Sequence, residues 1–165
     1  MLAWFLKSMA KGVACLPARW AQALGRGAGW VLALGMRLRR TYVLEVLARS
    51  FPEKTPDEHR AIYAAMCRHQ ALNLVEILRF AGGREEEIRA RIEVSGEEVV
   101  KQALERGKGV LVLIAHFGNY DLMGLFASRL LGYPVTIITK TLKNQRLNEL
   151  WWELRQKAGL KTLPS

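Results

Sequence analysis

The chain has 165 residues, half of them apolar and about a quarter charged; this suits one ordinary domain with a real core and excludes a disordered chain. Its net charge of +10 is unevenly placed, because Lys7, Lys11, Arg19, Arg26, Arg37, Arg39 and Arg40 all precede the first acid, Glu45. A basic segment of this kind attracts polyanions: an anionic membrane, an acidic carrier protein or nucleic acid. Cys15 and Cys67 form neither a disulfide framework nor a metal spacing, and both read as small buried apolar residues in a reducing compartment.

No stretch of the first forty residues is uncharged and apolar for the roughly 18 residues a membrane span needs. Arg19 and Arg26 also interrupt any signal-peptide core. The spacing predicts an amphipathic helix that starts near Leu16, where Pro17 suits a first turn. Val13, Leu16, Trp20, Leu24, Val31, Leu34 and Leu38 fall on one side; Lys11, Arg19, Gln22, Arg26, Arg37 and Arg40 fall on the other. Gly25, Gly27 and Gly29 are expected to weaken the helix midway. Trp4, Trp20 and Trp30, with no acid nearby, favour a membrane interface over packing on a core. Residues 1–40 are therefore expected to form a basic membrane-associating segment, and residues 41–165 an α/β domain.

Thr55-Pro56-Asp57-Glu58 carries a capping box with proline in the first turn, and opens a helix that runs to about Phe80 and stops at Gly82-Gly83. His59 and His69 on that helix have no partner motif and read as structural. A short helical turn over 85–90, a strand over 92–94 and a helix opened by Ser95-Gly96-Glu97-Glu98 and ended by Gly107 come next. The aliphatic run at 110–115 predicts a strand buried on both faces, as in a parallel sheet. A helix over 120–131, a second buried strand over 135–139 and a helix capped by Asn144 continue the alternation. The predicted fold class is α/β: an N-terminal amphipathic membrane helix, then helices and a parallel-sheet core. The chain stops where a further strand is expected to begin, so it reads as the N-terminal part of a larger domain.

The predicted strand 110–115 leads straight into Ala115-His116-Phe117-Gly118-Asn119-Tyr120-Asp121. Ligands of open α/β sheets bind beyond the carboxyl ends of strands, and a histidine there suits general-base work near neutral pH. Within one regular helix the side chains of His116 and Asp121 would point about 140° apart. They can meet only if His116 stands in the preceding turn, which Gly118 permits, and if Asn119 caps the helix that follows. Asp121 would then fix the imidazole tautomer from the first helical turn. The spacing alone is also met by a histidine at a strand end and an aspartate favoured at a helix start; the strand–turn–helix setting favours the catalytic reading.

These residues resemble a known family. His-Phe-Gly-Asn-Tyr-Asp is similar to the His-x4-Asp/Glu block of the lysophospholipid acyltransferase superfamily, and most of all to its lipid A lauroyl/myristoyl acyltransferase branch. Arg49-Ser50-Phe51-Pro52 and Gly107-Lys108-Gly109 resemble that branch's approach to the motif. Lys140-Thr141-Leu142-Lys143-Asn144, with Arg155 and Gly159, resembles its second block. Asp121 stands where the branch more often has Glu, and Lys140 where it often has Arg, which replaces a fork of donors by a point charge.

The resemblance implies acyl transfer from acyl-carrier protein to a hydroxyl of a phosphorylated lipid A precursor, without metal or cofactor. The implied location is the cytoplasmic face of the bacterial inner membrane. His116 and Asp121 are the implied catalytic pair; Gly118, Asn119, Lys140, Asn144 and Arg155 are the implied substrate-binding residues. An acyltransferase for another glycolipid or a lysophospholipid would use the same motif. A non-catalytic basic module is the remaining alternative, and nucleic acid is not expected as its ligand because aromatic residues are not interleaved with bases beyond the first helix.

Overall fold

The computed structural model describes residues 2–35, 39–157 and 160–164. The chain divides into two compact units, residues 1–84 and 85–165.

Unit one is helical: α1 (Leu2–Cys15), α2 (Ala18–Gly35), α3 (Arg40–Ser50) and α4 (Pro56–Ala81). The N-terminal region therefore forms two helices, broken at Leu16-Pro17, rather than one. Thr55 caps α4 as the sequence predicts. Its hydroxyl accepts from the Glu58 N–H, and the Glu58 carboxylate accepts from the Thr55 N–H at 2.7 Å. His59, Tyr63, Cys67, Ala71, Val75 and Arg79 recur every fourth residue along α4 and are buried, which makes a continuous ridge for helix packing. His59 is held by its Nε2, 3.0 Å from the Phe51 carbonyl. His69 is exposed.

Ala21, Gly25 and Gly29 of α2 face that ridge. A Cβ on Gly29 would lie 2.4 Å from the Arg68 Cα and 3.1 Å from the Cys67 carbonyl. These glycines permit close helix contact, which local propensity could not reveal. Gly82 does the same beneath α1, where a Cβ would stand 2.6 Å from the Ala10 carbonyl. The buried Arg79 donates to the Val13 and Leu16 carbonyls and Arg84 to that of Ala14, so the end of α1 is tied to α4. Gly29→Ala should destabilise the unit by about 1–3 kcal/mol through overpacking. Gly27→Ala, whose Cβ meets nothing within 4 Å, should instead stabilise it by up to about 1 kcal/mol through helix propensity. Thermal melts of the two variants should move in opposite directions; a shared direction would contradict the packing account.

With small residues turned inward, the large apolar residues of α2 point out. Trp20, Leu24, Trp30, Val31 and Leu34 are each at least half exposed, and Arg19 and Arg26 are exposed beside them. Of the predicted apolar side, only Val13 is buried and Leu16 partly so; Leu38 lies outside the described residues, as does Arg37. No described helix is long and apolar enough to cross a membrane. Cys67 is buried as expected, whereas Cys15, at the outer end of α1, is exposed.

Unit two holds α5 (Glu85–Arg89), α6 (Glu97–Glu105), α7 (Tyr120–Arg129), β1 (Thr136–Thr139), α8 (Gln145–Lys157) and β2 (Lys161–Pro164). The described sheet has two parallel strands, with Thr136 opposite Lys161 and Thr139 opposite Pro164, so the strand expected after Leu160 is formed. Four sequence expectations fail here. Residues 110–115 form no strand and pair with no described strand, and Leu111 and Leu113 are 94% and 97% exposed. A strand exists through ladder bonds to neighbours and is buried only when layers cover both its faces; its own composition supplies neither. For the same reason residues 92–94 form no strand, and β1, expected to be buried, leaves Thr136 and Ile138 exposed. At α6 the N-cap is Gly96 in the left-handed region (φ 79°), with no side-chain cap bond. The Ser95 capping box is therefore not made. Glu97, in the first turn, accepts from the Tyr133 hydroxyl and pairs with Lys101. The resulting body is more helical than the α/β core predicted.

Candidate active site

The site is built on the turn that leads into α7. The Phe117 N–H donates to the Ala115 carbonyl at 2.8 Å, closing a tight bend around His116. Gly118 follows with φ 58°, a left-handed conformation that a side chain would strain. Asn119 then caps α7, its Oδ1 accepting from the Leu122 N–H at 3.2 Å. Leu122, Leu125 and Phe126 are buried and anchor the helix inward. Gly124 faces Ile137 and Leu160, and a Cβ there would make ordinary contact with both. This local geometry leaves His116 before the helix and Asp121 within its first turn.

His116 is exposed, and its ring lies against Tyr120, centroids 4.4 Å apart and planes tilted by 57°. Asp121 does not bond to His116. Its Oδ1 accepts from the Arg155 guanidinium at 2.8 Å, across 34 residues of sequence. Both side chains of that pair are largely buried. The guanidinium also lies over the Trp151 ring, 5.5 Å from its centroid. The Arg155 Nε and the Trp152 Nε1 are buried without a partner among the described residues. The Tyr120 phenol is pushed above its ordinary pKa, first by burial and then by the Asp121 charge, with Arg155 opposing. It therefore stays neutral wherever an imidazole works as a base.

The remaining predicted residues are placed differently. Asn144 caps α8, its Oδ1 accepting from the Leu147 N–H at 3.1 Å. The buried Asn148 ties the approach to α8 by accepting from the Leu142 N–H. Lys140 is exposed at the carboxyl end of β1. Neither Lys140 nor Asn144 is hydrogen-bonded to His116 or Asp121. Gly159 lies outside the described residues. Two relations were absent from the sequence reading: the Tyr120 contact with His116, signalled only by an aromatic four residues on, and the Asp121–Arg155 pair, which no local spacing announces.

The whole chain, residues 1–165, matches the family model described as bacterial lipid A biosynthesis acyltransferase. Comparison with curated proteins and with solved structures found no match.

Proposed function

Because the chain belongs to the bacterial lipid A biosynthesis acyltransferases, we propose that it moves a fatty acyl chain from an acyl-carrier-protein thioester to a hydroxyl of a phosphorylated lipid A precursor. The proposed place of action is the cytoplasmic face of the inner membrane. The observation that carries the reading is an exposed His116 in a tight turn, one helical turn from a carboxylate anchored by a buried arginine.

In the proposed reaction one imidazole nitrogen of His116 takes the proton of the acceptor hydroxyl as its oxygen bonds to the thioester carbonyl carbon. The carbon–sulfur bond then breaks. The imidazolium returns the proton to the leaving thiolate, so the products are an ester and the free carrier thiol. Arg155 occupies Oδ1 of Asp121, and Oδ2 is the atom proposed to accept the other imidazole N–H once the exposed ring turns toward it. That bond would fix the tautomer and stabilise the imidazolium. Gly118 and Asn119 shape the turn against which the substrate lies; Lys140 and Asn144 are proposed to meet the polar head of the acceptor. Donor choice is tested by offering acyl-carrier-protein and coenzyme A thioesters in parallel. Faster transfer from the carrier protein is expected, and equal or faster transfer from coenzyme A would contradict the assignment of the donor.

The outward side of α2 is proposed to rest on the membrane: Trp20, Leu24, Val31 and Leu34 enter the interface while Arg19 and Arg26 meet anionic headgroups. Each base near such a surface contributes on the order of 1 kcal/mol, screened by salt. The protein should float with anionic vesicles at low salt and less so at high salt. Replacing Leu24 and Val31 by Ser, both already exposed, should reduce flotation without lowering the melting temperature. Undiminished flotation of that variant would contradict the proposed face.

A further inference from the structure

The His116–Tyr120 contact has a role that an acid–base pair alone does not supply. His116 precedes α7 in a turn held by one short backbone bond and a left-handed glycine. Its side chain is exposed, and Asp121, the acid its motif provides, is engaged by Arg155 instead. Among the described residues, none makes a hydrogen bond that fixes the plane of this imidazole. The group that does touch it is the Tyr120 ring, at 4.4 Å between centroids.

Tyr120 is itself well fixed. It begins α7, the helix anchored by Leu122, Leu125 and Phe126, and its ring is half-buried. Its neutral phenol presents an electron-rich face, and such a face attracts an imidazolium more than a neutral imidazole. The contact therefore restricts the ring in the resting state and strengthens as the ring takes a proton.

We propose that Tyr120 is a positioning residue for His116: its ring holds the imidazole in the orientation from which it reaches both the acceptor hydroxyl and Asp121, and supports the positive charge that develops on it. The proposal rests on the general-base reading of His116. A tilted aromatic contact corresponds to about a 3- to 10-fold effect on rate, and the loss should fall on kcat and leave KM unchanged, because Tyr120 is not assigned to substrate binding.

The test uses the 165-residue chain with isotope-labelled histidine, its three histidines assigned with His116→Gln. In the wild type the His116 ring protons should be displaced upfield by the Tyr120 ring current. Tyr120→Leu should abolish the displacement and lower kcat about 3- to 10-fold with KM retained. Tyr120→Phe, which keeps the ring, should keep the displacement and restore most of the rate. Absence of the displacement in the wild type, its persistence in folded Tyr120→Leu, or an unchanged kcat in that variant would each overturn the proposal. If His116→Gln turned over normally, the general-base reading would fail on its own account, and the ring-current displacement would still report whether the two rings touch.

Discussion

His116→Ala should lose about 10²- to 10⁴-fold in acyl-transfer rate, the usual contribution of a positioned general base, with little change in melting temperature. The side chain is exposed and touches one ring, so its removal leaves no buried group unsatisfied and opens no cavity. That separation of activity from stability distinguishes a catalytic histidine from one that merely finishes a turn. His69→Ala, exposed on α4, should change neither quantity. Rate assays run beside thermal melts decide the matter. A folded His116→Ala protein with wild-type turnover would remove the catalytic assignment, since His59 is buried and bonded to a backbone carbonyl.

The second large effect is expected at the Asp121–Arg155 pair, and there stability and activity should fall together. Removing one partner of a buried ion pair typically costs about 3–5 kcal/mol, because the other charge is left without compensation. Arg155 is only 7% exposed, and its Nε already lacks a partner among the described residues, so Arg155→Met strands the Asp121 carboxylate and Asp121→Asn strands the guanidinium. The double variant should be more stable than the sum of the two losses predicts, with a coupling of about 1–3 kcal/mol. Asp121→Glu should keep much of the activity, because a carboxylate one methylene longer can still meet both Arg155 and the imidazole. Denaturant unfolding of the four proteins in the cycle measures the coupling; strict additivity would contradict a direct pair.

What could be read in the sequence divides by distance along the chain. The Thr55 capping box, the Asn119 and Asn144 caps and the left-handed Gly118 are decided within four residues, and the structure contains each of them. Pairing was not legible. The aliphatic run at 110–115 has every propensity of a buried strand, yet pairing depends on partners that its own residues do not specify. Gly25 and Gly29 looked like weak points because propensity counts only the helix they sit in, whereas their use is the backbone of α4 some forty residues on. At the candidate site, the motif indicated the turn that leaves His116 before α7 and Asp121 in its first turn. The resting partner of Asp121 could not be found that way, because Arg155 arrives from a different helix and was expected there as a substrate-binding residue, not as the partner of a carboxylate 34 residues earlier.

This chain is proposed to be an acyltransferase whose chemistry runs through His116. Incubating the purified protein with acyl-carrier-protein thioester and a phosphorylated glycolipid acceptor in anionic detergent micelles, and following the acceptor by mass spectrometry, tests it most directly. The account predicts an acceptor heavier by one acyl group, in step with release of the free carrier thiol, and no such product above background with folded His116→Ala. Product formed equally well by the wild type and by folded His116→Ala would contradict it.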